Sequence, residues 1–287
     1  MKNLSEAHVA IIGLGLMGGS LAAALSGHCG CITGIDCNAE SVNYAKERGW
    51  INHGADQLDS NLMKVDAILL ATPVRTILRL LDVVARQVTE ACLVMDLGST
   101  KREIVSRMER LPGNLHSIGG HPMCGREVSG IQQADALLYQ NQPFILVPHL
   151  KTTEDTMIFA RQVVQSIGSR SVIMEPKQHD RIVAAISHLP YLISCGLVGT
   201  AEATAQEESE LVWEVAASGF RDTSRLAASD ITMMLDILLT NRKAILNSVN
   251  QFKNQLDKLE HLIAAEEEEL VRQILEKVRV RRKDLFL

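Results

Sequence analysis

Val9-Ala10-Ile11-Ile12-Gly13-Leu14-Gly15-Leu16-Met17-Gly18-Gly19 decides the fold of this 287-residue chain. Four apolar residues in a row predict a short strand buried on both faces. Glycines follow at 13, 15 and 18, and a helix pattern runs from Ser20 to Ser26. A second strand-like run, Ile32-Thr33-Gly34-Ile35, ends at Asp36. Glycines at this spacing are a weak signal alone. Strand, glycine loop, helix, strand and terminal acid together are a dinucleotide-binding fingerprint. Gly13 makes the tight turn, Gly15 lets a pyrophosphate approach, and Gly18 lets helix and strand pack closely. Leu14, Leu16 and Met17 fill the loop between them, and the helix N-terminus binds the phosphates. Asp36 lies 23 residues beyond Gly13. A carboxylate there bonds both ribose hydroxyls and repels a 2′-phosphate, so NAD is expected rather than NADP. FAD uses the same motif, but flavoenzymes of this fold usually need a longer chain.

The alternation of strand and helix continues. Asn38 caps a helix that ends at Gly49. Ala67 to Ala71 reads as a strand with Thr72 and Pro73 at its carboxyl end, followed by a helix from Ile77 to Val88. Leu93 to Met95 is the next strand, leading into Asp96-Leu97-Gly98-Ser99-Thr100-Lys101. Ser99 is expected to cap the helix beginning near Lys101, without excluding a bond to His121. His116 to Ile118 is strand-like and runs into a glycine–proline turn, Gly119-Gly120-His121-Pro122-Met123-Cys124-Gly125. Phe144 to Val147, a helix from Thr153 to Ile167 and a strand from Ser171 to Met174 extend the sheet to about Glu175. Ligands of open α/β sheets bind at the carboxyl ends of strands. Thr72, Pro73, Ser99 and His121 all fall there. A histidine on a rigid turn is either a structural cap or a general base near neutral pH.

Composition narrows the function. The net charge of −5 argues against a nucleic-acid surface. No run approaches the roughly 20 apolar residues that span a bilayer. Met1 to Ala7 lacks the basic-then-apolar plan of a secretion signal, so a cytoplasmic location is expected. The six cysteines form no CxxC pair and no zinc spacing, so no metal is expected. Cys124 has apolar neighbours and no reason for a lowered pKa.

From His179 on the spacing is helical. Ile182, Val183, Ile186, Leu189, Leu192 and Ile193 form one stripe, which Pro190 should kink. His188 precedes that kink, either as a satisfied core histidine or as a group presented to a site. Gly219-Phe220-Arg221-Asp222-Thr223-Ser224-Arg225 is a polar segment between helices. Its arginines suit carboxylate recognition, or pair with Asp222 and surface acids. Asp230 caps a long last helix. Within it Ile245, Phe252 and Leu259, and Val249, Leu256 and Ile263, recur every seven residues, which suggests a coiled-coil-like seam within or between chains. The expected class is α/β: a Rossmann-type dinucleotide-binding domain over 1–175, then an all-α substrate-binding and dimerisation domain over 176–287.

The chain resembles the prephenate/arogenate dehydrogenase family of tyrosine biosynthesis. The carriers are the glycine loop 13–20, Asp36, Ala71-Thr72-Pro73, Gly98-Ser99-Thr100-Lys101, Gly119-Gly120-His121-Pro122-Met123, Ser187-His188-Leu189-Pro190 and the segment 219–225. They stand in the family order and cover most of the chain. The resemblance implies NAD-dependent oxidative decarboxylation of prephenate to 4-hydroxyphenylpyruvate, or of arogenate to tyrosine. By position, His121 matches the histidine that polarises the ring hydroxyl, and Ser99 the serine that orients it. Arg221 matches the arginine that binds a substrate carboxylate, with Arg225 beside it, and His188 a second pocket histidine. Glu127 falls where an acid influences the choice between keto and amino side chains, while Arg126 is expected to be solvated. A small-molecule dicarboxylate substrate, a homodimer through the C-terminal helices, no nucleic acid and no membrane follow. The chain is expected to lack a regulatory ACT domain and a chorismate mutase domain. A β-hydroxyacid dehydrogenase would need a catalytic lysine on the helical side, and none occurs between Lys177 and Lys243. A non-catalytic NAD-binding sensor would keep the glycine loop without needing His121, Ser99 and Arg221 together.

Overall fold

Strands buried on both faces and helices on either side give a doubly wound sheet. A computed structural model describes residues 2–58 and 64–286. The first elements are β1 (His8–Ile12), α1 (Leu16–Leu25), β2 (Cys31–Ile35), α2 (Ala39–Glu47), β3 (His53–Ala55) and β4 (Ala67–Leu70). They continue with α3 (Val74–Gln87), β5 (Cys92–Asp96), α4 (Arg102–Met108), β6 (Leu115–Pro122), β7 (Pro143–Val147), α5 (Glu154–Ser166) and β8 (Arg170–Ile173). The sheet order among the described residues is β3-β2-β1-β4-β5-β6-β7-β8. All neighbours are parallel except β6 and β7, where His121 lies opposite Ile145. The order reverses between β1 and β4, which is where such sheets open a crevice.

Among the described residues the two larger apolar clusters lie one on each face. Val9 and Ile11 pack with α1 and α5, whereas Ala10 and Ile12 pack with α3 and α4. The period-2 alternation of a strand sends neighbouring residues to opposite layers. In α3 the buried residues Val74, Ile77, Leu81 and Val84 fall at helical spacing, which lays one apolar stripe on the sheet.

Several boundaries differ from the sequence reading. α1 begins at Leu16 rather than Ser20, because the loop turns within three residues and Gly15 is already the N-cap. α3 begins at Val74, directly after Pro73. The short β3 has no apolar pattern and exists through backbone pairing with β2. Gly119 to Pro122 is not a turn but the end of β6. The glycines are needed for close approach: a Cβ on Gly120 would stand 2.4 Å from the Asp96 carbonyl oxygen.

Helices follow: α6 (Pro176–Val183), a π-helical turn (Ala184–His188), α7 (Leu189–Glu207), α8 (Leu211–Glu214), α9 (Ser218–Ser224), α10 (Ile231–Thr240), α11 (Arg242–Ala264) and α12 (Glu268–Phe286). The expected kink at Pro190 is this π turn, placed just before the proline. The ring clashes with the carbonyl one turn back, and a widened turn makes room. The segment 219–225, expected to be a link, is largely helix α9. The single long last helix is three. Asn241 ends α10, and Glu266, at φ +55°, separates α11 from α12. The Asp230 side chain accepts from Met233 N, so it caps α10.

Two compact units result, residues 1–242 and 243–287. The first unit holds residues on both sides of 175, because the helices up to α10 are hydrogen-bonded onto the sheet's loops. Asp236 accepts from Arg75 N at the start of α3, and Thr100 bonds Thr240 between hydroxyls at 2.8 Å. The second unit holds most of α11 and all of α12. The expected absence of a membrane-length run also needs correction. By length and composition alone, Pro176–Glu207 is apolar enough to cross a membrane. Counting uninterrupted apolar runs overlooked it, since His179, Asp180 and His188 are scattered through it. Those three side chains are buried and bonded within the first unit, although only 22% of the apolar window is buried.

Candidate active site

The glycine loop is built for a dinucleotide. Gly13 has φ +95°, and a Cβ there would meet the Ala71 carbonyl oxygen at 2.7 Å. A Cβ on Gly18 would stand 1.7 Å from the Gly13 oxygen, so these two positions accept only glycine. Gly15 has open space around its Cβ position and caps α1 with no side-chain bond, leaving the helix N–H groups free for phosphate. Leu14 and Leu16 are buried and hold the loop on the core. The Met17 carbonyl accepts from Tyr139 Oη at 2.6 Å. Asp36 directly follows β2, where its carboxylate accepts from Leu14 N at 2.6 Å and Asn38 N at 2.8 Å. Its remaining lone pairs suit ribose hydroxyls. Across the crevice, Thr72 Oγ1 is buried with no partner, and exposed Pro73 caps α3. An orphaned hydroxyl beside an open helix end fits NAD, which asks for such donors and acceptors.

His121 stands next to this crevice on β6, with only 9% of its surface exposed. Its Nδ1 lies 2.8 Å from His179 Nε2, and His179 Nδ1 lies 2.8 Å from Asp180 Oδ1. Asp180 also caps α4, accepting from Lys101 N at 2.7 Å and Arg102 N at 3.1 Å. This displaces the cap expected of Ser99, which is half-buried and makes no side-chain hydrogen bond among the described residues. His179, not Ser99, is the group bonded to His121.

Burial holds His121 well below its usual pKa, helped by His179 and then Lys101. It is therefore neutral at pH 7 and able to accept a proton. Burial also lowers His179, against the pull of Asp180, and holds His188 at about 4. His188 is 1% exposed and faces Asn241 Nδ2 at 3.3 Å. Below β6, the Lys101 ammonium pairs with Asp96 and bonds the Gly120 carbonyl oxygen at 2.7 Å.

The loop after β6 brings Glu127 against Arg225, and the two form an ion pair. Arg221 instead turns to its neighbour Asp222 at 3.4 Å, with 79% of its side chain exposed. Arg126 is not left to solvent but pairs with Asp135 at 2.8 Å. Burial raises the Cys124 thiol to about 11, which removes it as a nucleophile. Sequence reasoning missed His179, Asp180, Asp96 and the buried role of Lys101. The adjacent His-Asp pair at the head of the helical stripe was the available signal.

The arrangement can bind a dinucleotide and move one proton at a buried neutral histidine. Residues 21–173 match the model for the nucleotide-binding domain of prephenate dehydrogenase, and residues 175–277 the model for its dimerization domain. The chain is 34% identical to a prephenate dehydrogenase of Bacillus subtilis over 91% of this chain and 71% of the relative. The structure of prephenate dehydrogenase from A. aeolicus, in complex with hydroxyphenyl propionate and NAD+, is 32% identical. It superposes with a TM-score of 0.92 over 99% of this chain and 100% of that one. An arogenate dehydrogenase from Synechocystis gives 0.83 at 29% identity over 97% and 99% of the two chains. The chain belongs to the prephenate dehydrogenase family of NAD-dependent oxidoreductases.

Proposed function

We propose that the protein catalyses the oxidative decarboxylation of prephenate to 4-hydroxyphenylpyruvate and CO₂. The observation that carries this reading is the buried, neutral His121 beside the dinucleotide crevice. Bound NAD supplies the hydride acceptor. His121 takes the proton of the ring hydroxyl through Nε2 as the carbinol carbon is oxidised. The ring carboxylate leaves as CO₂, and the ring becomes aromatic. Ser99, at the carboxyl end of β5, has a free hydroxyl to offer the substrate.

Arg225 is the better anchor for the side-chain carboxylate. Glu127 already directs its guanidinium, whereas Arg221 turns to Asp222. The same pair favours prephenate over arogenate. Glu127 is engaged by Arg225, whose guanidinium keeps further N–H donors, so the pair presents donors for a carboxylate rather than a bare acid for the ammonium of arogenate. Asp36 favours NAD over NADP, since it would repel a 2′-phosphate.

The protein acts as a homodimer in the cytoplasm. Ile186, Leu211, Val215, Ile231 and Leu239 are each more than half exposed, and they lie within the residues matched by the dimerization model. A second copy gives that apolar surface a partner. Six free cysteines suit a reducing compartment.

A steady-state assay of prephenate and arogenate, each with NAD and NADP, tests the reading. Prephenate with NAD should give the highest kcat/KM. A preference for NADP overturns the role of Asp36. His121→Asn should remove most turnover while NAD still binds; unchanged turnover ends the assignment of His121.

A further inference from the structure

We propose that His179 and Asp180 are positioning residues that fix His121 in its Nδ1–H tautomer, leaving Nε2 bare as the proton acceptor. The inference rests on the reading of His121 as the base. It starts from the far end of the chain of bonds. The Asp180 carboxylate accepts from two backbone N–H groups, Lys101 N at 2.7 Å and Arg102 N at 3.1 Å. An ionised carboxylate is an acceptor only. His179 Nδ1 must therefore donate to it across 2.8 Å. A neutral imidazole carries one N–H, so His179 Nε2 has only a lone pair to offer. His121 Nδ1, 2.8 Å away, must then donate. Its single proton is spent inward, and Nε2 is the free base.

A neutral histidine in water prefers its proton on Nε2, the wrong nitrogen for this task. The bond from Nδ1 to His179 reverses that preference, by the same logic that lets one ring nitrogen's partner set the role of the other. Other groups near His121 leave the direction unchanged. Lys101 and His188 influence it electrostatically. Lys101 spends its ammonium on Asp96 and the Gly120 oxygen, and His188 faces Asn241. Asp96 takes Gly98 N and Gly120 N. None of them supplies an alternative bond to Nδ1. When Nε2 gains the substrate proton, the Nδ1–H bond becomes charge-assisted, with the Asp180 charge one ring beyond. Asp180 is itself immobilised at the start of α4, so the three side chains form a rigid line from a helix end to the base.

Nitrogen-15 histidine labelling of the full chain near neutral pH reads the tautomer directly, with the His121 signals identified by their loss in His121→Asn. Protonation on Nδ1 alone is expected. Protonation on Nε2 overturns the proposal, whereas the role of His121 itself is judged separately, by the turnover of His121→Asn. The second arm compares His179→Gln with His179→Leu. Glutamine keeps an acceptor oxygen near the Nε2 position, so kcat should stay within about tenfold of wild type. Leucine keeps bulk but no acceptor. It should lower kcat about 10²-fold or more with KM little changed, and its His121 proton should shift to Nε2. Equal activity of the two variants overturns the proposal. If neither folds, the wild-type tautomer decides.

Discussion

The Lys101 ammonium and the Asp96 carboxylate, neither with any exposed surface, meet directly beneath the strand that carries His121. Lys101 bonds the Gly120 oxygen, and Asp96 takes Gly120 N at 3.2 Å. The peptide on each side of Gly120 is thereby pinned, and the second of them leads into His121.

Removing one partner strands a charge in the interior. Lys101→Met should lower unfolding stability by about 3–5 kcal/mol. The double variant Asp96→Leu with Lys101→Met should lose less than the sum of the single changes. Urea titrations of all three measure this; a single Lys101→Met within about 1 kcal/mol of wild type would falsify the uncompensated-charge account.

Acid should loosen the fold before it protonates the surface carboxylates. His188 falls from its usual 6.5 to about 4 in the folded chain. Between those values the unfolded chain holds a proton that the folded chain refuses. Stability is therefore whole above about pH 6.5 and declines as the pH drops toward 4. His188 contributes on the order of 3 kcal/mol over that window, and His121 and His179 act in the same direction. Denaturation midpoints near neutrality and near pH 5 check it. Equal midpoints contradict the buried neutral state.

Gly15→Ala separates folding from nucleotide binding. No atom lies within 4 Å of the added methyl, and φ at Gly15 is −76°. The melting temperature should stay near wild type while NAD affinity falls at least tenfold, because the methyl occupies the approach to the phosphates. Gly18→Ala, whose methyl meets the Gly13 oxygen, should lose stability as well. Calorimetric titration and thermal melts distinguish the two; undiminished NAD affinity in Gly15→Ala would place the phosphates elsewhere.

Two neighbouring arginines should behave differently. Arg225→Met removes a charged hydrogen bond of about 1.5–3 kcal/mol, raising the substrate KM about 10- to 100-fold with a smaller change in kcat. Arg221→Met should stay within about threefold of wild type on the same measure. The reverse ranking returns the anchor to Arg221.

The sheet was legible because its signals are local. Val9 to Ile12 can only be a doubly buried strand, and Gly13, Gly15 and Gly18 each answer a steric need. Asp36 and His121 fell at strand ends that the alternation had already located. What stayed hidden depends on contacts between residues far apart in the chain. Asp180 caps a helix 78 residues earlier, so no spacing rule near Ser99 could reveal it. Nothing local in the sequence marks Lys101 as buried; that follows only when β6 closes over it. The two arginines at 221 and 225 are alike in sequence, and only the loop that carries Glu127 distinguishes them. β3 has no side-chain pattern and follows from β2's open backbone.

Asp180 and Asp236, both from the helical part, cap α4 and α3, whose own N-cap residues, Lys101 and Pro73, supply no side-chain bond. The consequence is one of modularity. The nucleotide-binding half cannot be treated as an interchangeable cassette. Cut from the helices after it, it would present two helix starts with unsatisfied N–H groups beside its crevice. A chimaera that grafts this sheet onto another helical partner needs carboxylates at the same two points. The sheet and the helices up to α10 are therefore inherited together, because those helices supply the carboxylates that finish the sheet's own helix starts.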